Sequence, residues 1–256
     1  MKHQIHRYPQ NTTGRDFVVG DIHGHFSRLR RAMEFIGFDP SRDRLFCAGD
    51  LVDRGPESHD VLNWLAQPWF KSVRGNHDHS AVRWGNPDNA MDVSLYAQNG
   101  GAWNIGNTQP ERLRFSDALD ELPLAIELQT AAGPVGIIHA DCPMGDWGVF
   151  VAAMEDPSTT RHLQKDMTEF AMWSRDRIKS GDSSAVEGLV ALVVGHSTIV
   201  RPVVLGNVHF IDTGGWREDG GFTFLEVGTL SAQTIDNTLA DLDAMDATQR
   251  ETEPLH

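Results

Sequence analysis

Short apolar runs, each closed by glycine and then by polar residues, recur along the chain. Phe17–Val19 leads into Gly20-Asp21, Leu45–Ala48 into Gly49-Asp50, and Lys71–Arg74 into Gly75-Asn76-His77. Between them the spacing turns helical. Leu29, Met33 and Ile36 predict a helix over about residues 28–36 with Ser27 as N-cap; Val61, Leu62 and Leu65 predict another that stops near Pro68. Strands that end in glycine plus polar groups, not in hairpin turns, predict βαβ units with their loops gathered on one edge.

The second half is richer in strands. Residues 125–130 and 135–139 flank an Ala131-Ala132-Gly133-Pro134 turn and predict a hairpin. A helix is expected over about residues 158–173. Residues 189–194 predict a buried strand ending at Gly195-His196, and residues 203–205, 208–211 and 222–227 predict three more, with Gly206-Asn207 as a turn. From Ser231 the chain becomes polar and acidic, with Asp236, Asp241, Asp243, Asp246, Glu251 and Glu253 against Arg250. The expected division is one catalytic domain over residues 1–230 and a solvated acidic tail over 231–256, with a weak amphipathic helix as the alternative for the tail.

Composition narrows the class. The 256 residues are 40% hydrophobic, enough for a sizeable core. The formal net charge of −14, with no block rich in Lys or Arg, argues against a nucleic-acid partner. An anionic substrate stays open, because metals and arginines in a cleft can dominate its local field. Cys47 and Cys142 form no CxxC pair, which suits a reducing cytosol. Residues 1–10 are polar and include Pro9, unlike a secretory signal. The longest apolar run, residues 189–194, falls far below the roughly 18 residues of a membrane span. A cytoplasmic protein without membrane partners is expected, with a monomer favoured.

The chemistry sits at the strand ends. Five loops carry metal-type ligands: Gly20-Asp21-Ile22-His23-Gly24, Gly49-Asp50-Leu51-Val52-Asp53-Arg54-Gly55, Arg74-Gly75-Asn76-His77-Asp78, His139-Ala140-Asp141 and Gly195-His196. One such residue alone is usually a surface or capping group; five sets, each after its own strand, point to a shared site. Carboxylate, imidazole and amide donors form a mixed O/N set suited to Mn²⁺, Fe or Zn²⁺. Two metals about 3.5–4 Å apart can clamp a phosphate and activate a water, with Asp50 as the natural bridging carboxylate.

These motifs resemble those of the phosphoprotein phosphatase family within the metallophosphoesterase superfamily, and most of all its bacterial and lambda-phage branch. Phe38-Asp39-Pro40, Asn99-Gly100-Gly101 with Trp103, Glu121-Leu122-Pro123-Leu124, Trp173-Ser174-Arg175 and Ile211-Asp212-Thr213-Gly214 extend the similarity over about residues 14–230. The resemblance implies an α/β (α+β) calcineurin-like fold: a central β-sandwich of two mixed sheets flanked by helices. It implies a dinuclear centre, most simply of two Mn²⁺, with Asp21, His23 and Asp50 on one metal and Asp50, Asn76, His139 and His196 on the other. It implies in-line attack on a phosphomonoester by a metal-bridging hydroxide, with His77 as general acid and Asp53 orienting it. Arg54, Arg74 and Arg175 would bind phosphoryl oxygens. The implied substrate is a phosphorylated protein, at serine or threonine.

Several positions depart from that pattern. Asp78 stands where family phosphatases usually carry Glu, which is expected to loosen support around the metal ligands and keeps a dinucleoside-polyphosphate (diadenosine tetraphosphate) hydrolase, or a broad small-phosphoester phosphatase, as the alternative function. Asp53 speaks for the protein phosphatase. His25 and His79 read as a loop and a helix-start residue, Cys142 as a free thiol. Trp216 reads equally as cleft lining or packing. A third reading, a metal-stabilised module without catalysis, is weakened by the presence of every expected ligand and of His77.

Overall fold

The computed structural model describes residues 4–86 and 91–238. In chain order the strands are β1 (Ile5–Tyr8), β2 (Asp16–Val19), β3 (Arg44–Cys47), β4 (Phe70–Ser72), β5 (Ala125–Thr130), β6 (Gly133–Ile138), β7 (Ala191–Val194), β8 (Val203–Leu205), β9 (Val208–Phe210), β10 (Gly221–Glu226) and β11 (Ser231–Asp236). The helices are α1 (Phe26–Phe35), α2 (Val61–Leu65), α3 (Asn76–Gly85), α4 (Val93–Tyr96), α5 (Ala102–Ile105), α6 (Gln109–Asp120), α7 (Trp147–Glu155), α8 (Arg161–Trp173) and α9 (Asp176–Ser180).

The strands form two mixed sheets, ordered β1-β5-β6-β7-β9-β8 and β11-β10-β2-β3-β4. The short runs at their centres are apolar on both faces because each face meets another layer. Val18, Phe46 and Leu225 of one sheet pack against Ile126, Ile137 and Val193 of the other. The alternate residues Phe17, Val19, Leu45 and Cys47 face outward onto Phe26 and Leu29 of α1 and Trp64 of α2. Ala125, Ile138, Leu192 and Val194 likewise face Trp147 and Phe150 of α7 and Met167 of α8. The result is a β-sandwich between helical layers, as expected. Each fully buried Leu, Ile, Val or Phe contributes about 1.5–3 kcal/mol through the water it no longer meets.

Strand direction places the chemistry. β2, β3 and β4 run parallel, as do β6 and β7. The loops after these five strands carry the five motifs, so each sheet delivers its motifs at one edge.

Several local expectations need correction. His25, not Ser27, is the N-cap of α1, which starts at Phe26; the Ser27 amide instead donates to Glu57 Oε2 at 2.7 Å. The hairpin forms, but Gly133 and Pro134 lie within β6 and the turn is Ala131-Ala132. Ser231–Asp236, which the sequence reading gave to the tail, is an edge strand antiparallel to β10. Its polar residues face solvent and only Ile235 reaches the core, so its apolar signal is a single residue. Residues 239–256 of the expected tail lie outside the described residues. Residues 5–8, read as polar N-terminus, form β1, a parallel edge strand beside β5.

Candidate metal centre and acid dyad

The five loops converge by backbone contacts. The amides of Ile22 and His23 donate to the Asp50 carbonyl at 3.1 and 2.8 Å, and that of Gly24 to the Leu51 carbonyl at 2.8 Å. Asp21 Oδ1 accepts from the His196 amide at 3.0 Å, and Asp50 Oδ1 from the His77 amide at 2.8 Å. A Cβ at Gly75 would collide with Asp50 Oδ1, and one at Gly195 with Asp21 Oδ1, so these positions need glycine for close approach. His23, Asp50, Asp53, Arg54 and His196 all have positive φ, whereas only Met144 and Leu230 do so elsewhere among the non-glycine described residues. Such conformations cost about 1–3 kcal/mol each, and their concentration in these loops marks a site held in shape by its surroundings.

Side chains complete the picture. His23 Nδ1 lies 3.0 Å from the Val52 carbonyl and His139 Nδ1 2.7 Å from the Ala48 carbonyl. Each carbonyl fixes Nδ1 and turns Nε2 toward the buried carboxylates, the ring orientation of metal-binding histidines. Asp50 Oδ2 lies between these two Nε2 atoms, 3.7 Å from His23 and 3.3 Å from His139. Asn76 Oδ1 is 3.0 Å from His139 Nε2, and Asp21 Oδ2 is 3.9 Å from His23 Nε2. Ligand atoms of His23, Asp50 and His77 form one group within 4.8 Å, and those of Asp50, His139 and His196 another, with Asp50 in both. His77 differs from His23 in its partner: its Nδ1 meets the Asp53 carboxylate at 2.9 Å where His23 has a carbonyl, while the Arg54 guanidinium touches Nε2 of both rings at 3.0 and 2.8 Å. Asp21 is the better third donor beside His23.

The field in this pocket calls for cations. Burial, together with Asp212 nearby, holds the Asp21 carboxyl well above the usual carboxylate range. Burial also opposes charge on Asp50, but His139, His77 and His23 outweigh it and keep Asp50 well below that range. Burial would lower His139, yet the Asp50 and Asp21 carboxylates push it up to about 10. Crowded buried carboxylates, with imidazole Nε2 atoms turned toward them, fit a pair of divalent ions that would take the place of the ring proton.

Asp78 does not loosen this shell. Its carboxylate, fully buried, accepts from the amides of Asp50 (3.0 Å), Leu51 (2.9 Å) and Gly75 (2.9 Å), binding two ligand loops together. Burial and the Asp50 charge push it up to about 7 against the bonds from Gly75 and Leu51.

The arginines divide. Arg54 is exposed, with Nη1 2.8 Å from His23 Nε2 and its guanidinium 4.5 Å over the Trp216 ring. Trp216 also packs edge-on against His23 with ring centres 5.3 Å apart, so it lies against the candidate site. Exposed Arg175 reaches His196, with Nε 3.1 Å from Nε2 and Nη2 3.2 Å from the carbonyl. Arg74 does not join them. It is buried and donates to Asp120 Oδ1 and to the carbonyls of Asp120 and Leu122 at 2.7–3.0 Å, capping the end of α6. Cys142 is buried against the Pro143 carbonyl, and burial pushes its thiol up to about 12, so it is a neutral thiol. His25 bonds the His23 carbonyl as a loop residue; His79 is half-buried in the first turn of α3. The sequence gives Asp212 and Trp103 no role and leaves out Arg177 and Tyr96, whose hydroxyl bonds the Asp53 carboxylate; of the four only Asp212 stands at a strand end, in the Ile211-Asp212-Thr213-Gly214 motif after β9.

The calcineurin-like phosphoesterase model matches residues 17–207. Serine/threonine-protein phosphatase 1 of Salmonella typhimurium is 33% identical over 77% of this chain and 85% of its own. The symmetrical bis(5'-nucleosyl)-tetraphosphatase of Methylococcus capsulatus is 45% identical, but over only 24% of this chain and 23% of its own. A solved structure described as a candidate diadenosine tetraphosphatase superposes with a TM-score of 0.62 at 20% identity, covering 91% of this chain and 97% of that one, which supports the fold alone. With its strand-end ligands converging as they do, the chain belongs to the calcineurin-like phosphoesterase family.

Proposed function

We propose that the protein is a metal-dependent serine/threonine phosphatase acting on phosphorylated proteins. The observation that carries this reading is Asp50: its Oδ2 lies within 3.7 Å of Nε2 of two histidines on different sheets. Asp21, His23 and Asp50 would hold one divalent ion, and Asp50, Asn76, His139 and His196 the other, most simply Mn²⁺. Such ions would supply Lewis acidity to the phosphoryl group and lower the pKa of a nearby water.

The chain's own groups do the rest. Arg54 and Arg175 flank the cleft and would hold phosphoryl oxygens. Arg74, bound to the end of α6, would act as a structural support. His77 Nε2 faces Arg54 at the cleft, and Nδ1 is held by Asp53. That orientation suits proton donation to a departing serine or threonine oxygen, a poor leaving group that needs an acid. The likeness to the Salmonella phosphatase over most of both chains favours a protein substrate.

A second reading, hydrolysis of dinucleoside polyphosphates, is favoured by Asp78 and by the short stretch shared with the tetraphosphatase. Turnover of a phosphothreonine peptide and of diadenosine tetraphosphate, side by side in Mn²⁺, decides. Faster cleavage of the peptide is expected; much faster cleavage of the nucleotide would reject the phosphatase reading.

A further inference from the structure

Val93–Ile105 forms one bent segment over the Asp53-Arg54 loop: α4, a turn over Ala97–Gly101 kinked at Gly100, and α5. The Arg54 amide donates to the Gly100 carbonyl at 3.0 Å. Gly100 has φ +100, and a Cβ there would lie 2.6 Å from the Arg54 nitrogen, so the segment presses directly on the loop. From α5, Trp103 Nε1 donates to Asp53 Oδ1 at 2.7 Å. The other oxygen of that carboxylate, Oδ2, holds His77 Nδ1 at 2.9 Å. Asp53 is wholly buried, so water cannot replace a lost donor, and the Tyr96 hydroxyl is the other side chain that bonds its carboxylate. The indole is itself fixed, edge-on to His59 at 4.9 Å and to Phe115 at 5.0 Å.

We propose that Trp103 is a positioning residue of the His77–Asp53 pair. Its indole N–H pins one carboxylate oxygen so that the other holds the imidazole with Nε2 toward the cleft. Without that bond the carboxylate keeps Tyr96 and His77 alone as side-chain partners and can turn about its Cβ–Cγ axis, and the ring follows it. This rests on the reading of His77 as general acid, so the role is confined to reactions that need an acid.

The test compares Trp103→Phe with His77→Asn on phenyl phosphate, a poor leaving group, and 4-nitrophenyl phosphate, a good one, in Mn²⁺. Loss of one hydrogen bond to a buried charge corresponds to about a 10- to 100-fold fall in kcat on phenyl phosphate, with KM unchanged. The fall on 4-nitrophenyl phosphate should be at most a few-fold, and Trp103→Phe should cost nothing further in a His77→Asn background. Should Phe unsettle the fold, benzothienylalanine at position 103 keeps the ring's shape without its N–H and gives the same readout. Unchanged kcat on phenyl phosphate, or equal losses on both substrates while His77→Asn discriminates them, overturns the proposal. Equal losses in His77→Asn itself overturn the acid reading and the proposal with it.

Discussion

At the scale of single residues, the arginines show what a motif can and cannot say. Arg54, Arg74 and Arg175 are alike in sequence, yet only two face the cleft. Arg175, exposed beside His196, should matter for substrate and little for stability. Arg175→Ala is expected to raise KM for a phosphopeptide about tenfold or more, with an unchanged melting temperature, since charge-assisted bonds to phosphate are worth about 1.5–3 kcal/mol. Arg74→Ala should do the reverse. It strips the carbonyls of Asp120 and Leu122 of their donor, at a cost of about 2–4 kcal/mol, and leaves KM near the wild-type value. Parallel melting and kinetic measurements on the two variants check this; a large KM change with intact stability in Arg74→Ala would return that residue to the cleft. The ligand residues were legible because each motif follows its own strand, four of the five through a glycine. Arg74 was misplaced because its partner, Asp120, sits 46 positions away on a helix the sequence reading did not predict.

At the scale of elements, the central strands were readable because their apolar runs meet a layer on each face. Edge strands β1 and β11 were not: IHRY and SAQTID bury one residue each, too few to show a period. Helix α6 carries a signal that could have revealed it, the Thr108–Glu111 capping box with proline in the first turn. Elements also cooperate through groups that no motif predicts. Arg177 of α9 donates its Nε to both oxygens of Asp141 at 3.1–3.2 Å, and its Nη1 to the carbonyls of Asp182 and Ser184. Both partners of the ion pair are buried. Asp141 lies two residues after His139 and Arg177 two after Arg175, so the pair locks a ligand loop to the turn that presents a cleft arginine. Removing one partner of a buried pair typically costs 3–5 kcal/mol. Arg177→Ala is expected to lose about that much in urea unfolding, and Arg177→Met, which keeps the stem's packing, to lose nearly as much because Asp141 stays buried and unpaired. Recovery in a double Arg177→Met/Asp141→Leu variant would tie the loss to the orphaned charge.

At the scale of the whole molecule, the two sheets are joined by an apolar core and also by the proposed ions, because Asp21, His23, Asp50 and Asn76 follow strands of one sheet and His139 and His196 strands of the other. Ions that bind only the folded state stabilise it by mass action, by about 2.7 kcal/mol at a hundredfold excess over Kd. Mn²⁺ should therefore raise the melting temperature of chelator-treated protein as it restores turnover. Asp21→Asn separates the two roles of that carboxyl. Burial and Asp212 hold it above the usual range, so its charged form costs stability at neutral pH when no cation is bound. Asparagine keeps an oxygen for the His196 amide and removes the charge. Metal-free Asp21→Asn should melt at or above metal-free wild type, gain less from Mn²⁺, and turn over far more slowly. A variant that melts lower without metal yet gains as much from Mn²⁺ would show that Asp21 holds the fold together and leaves the ions to others.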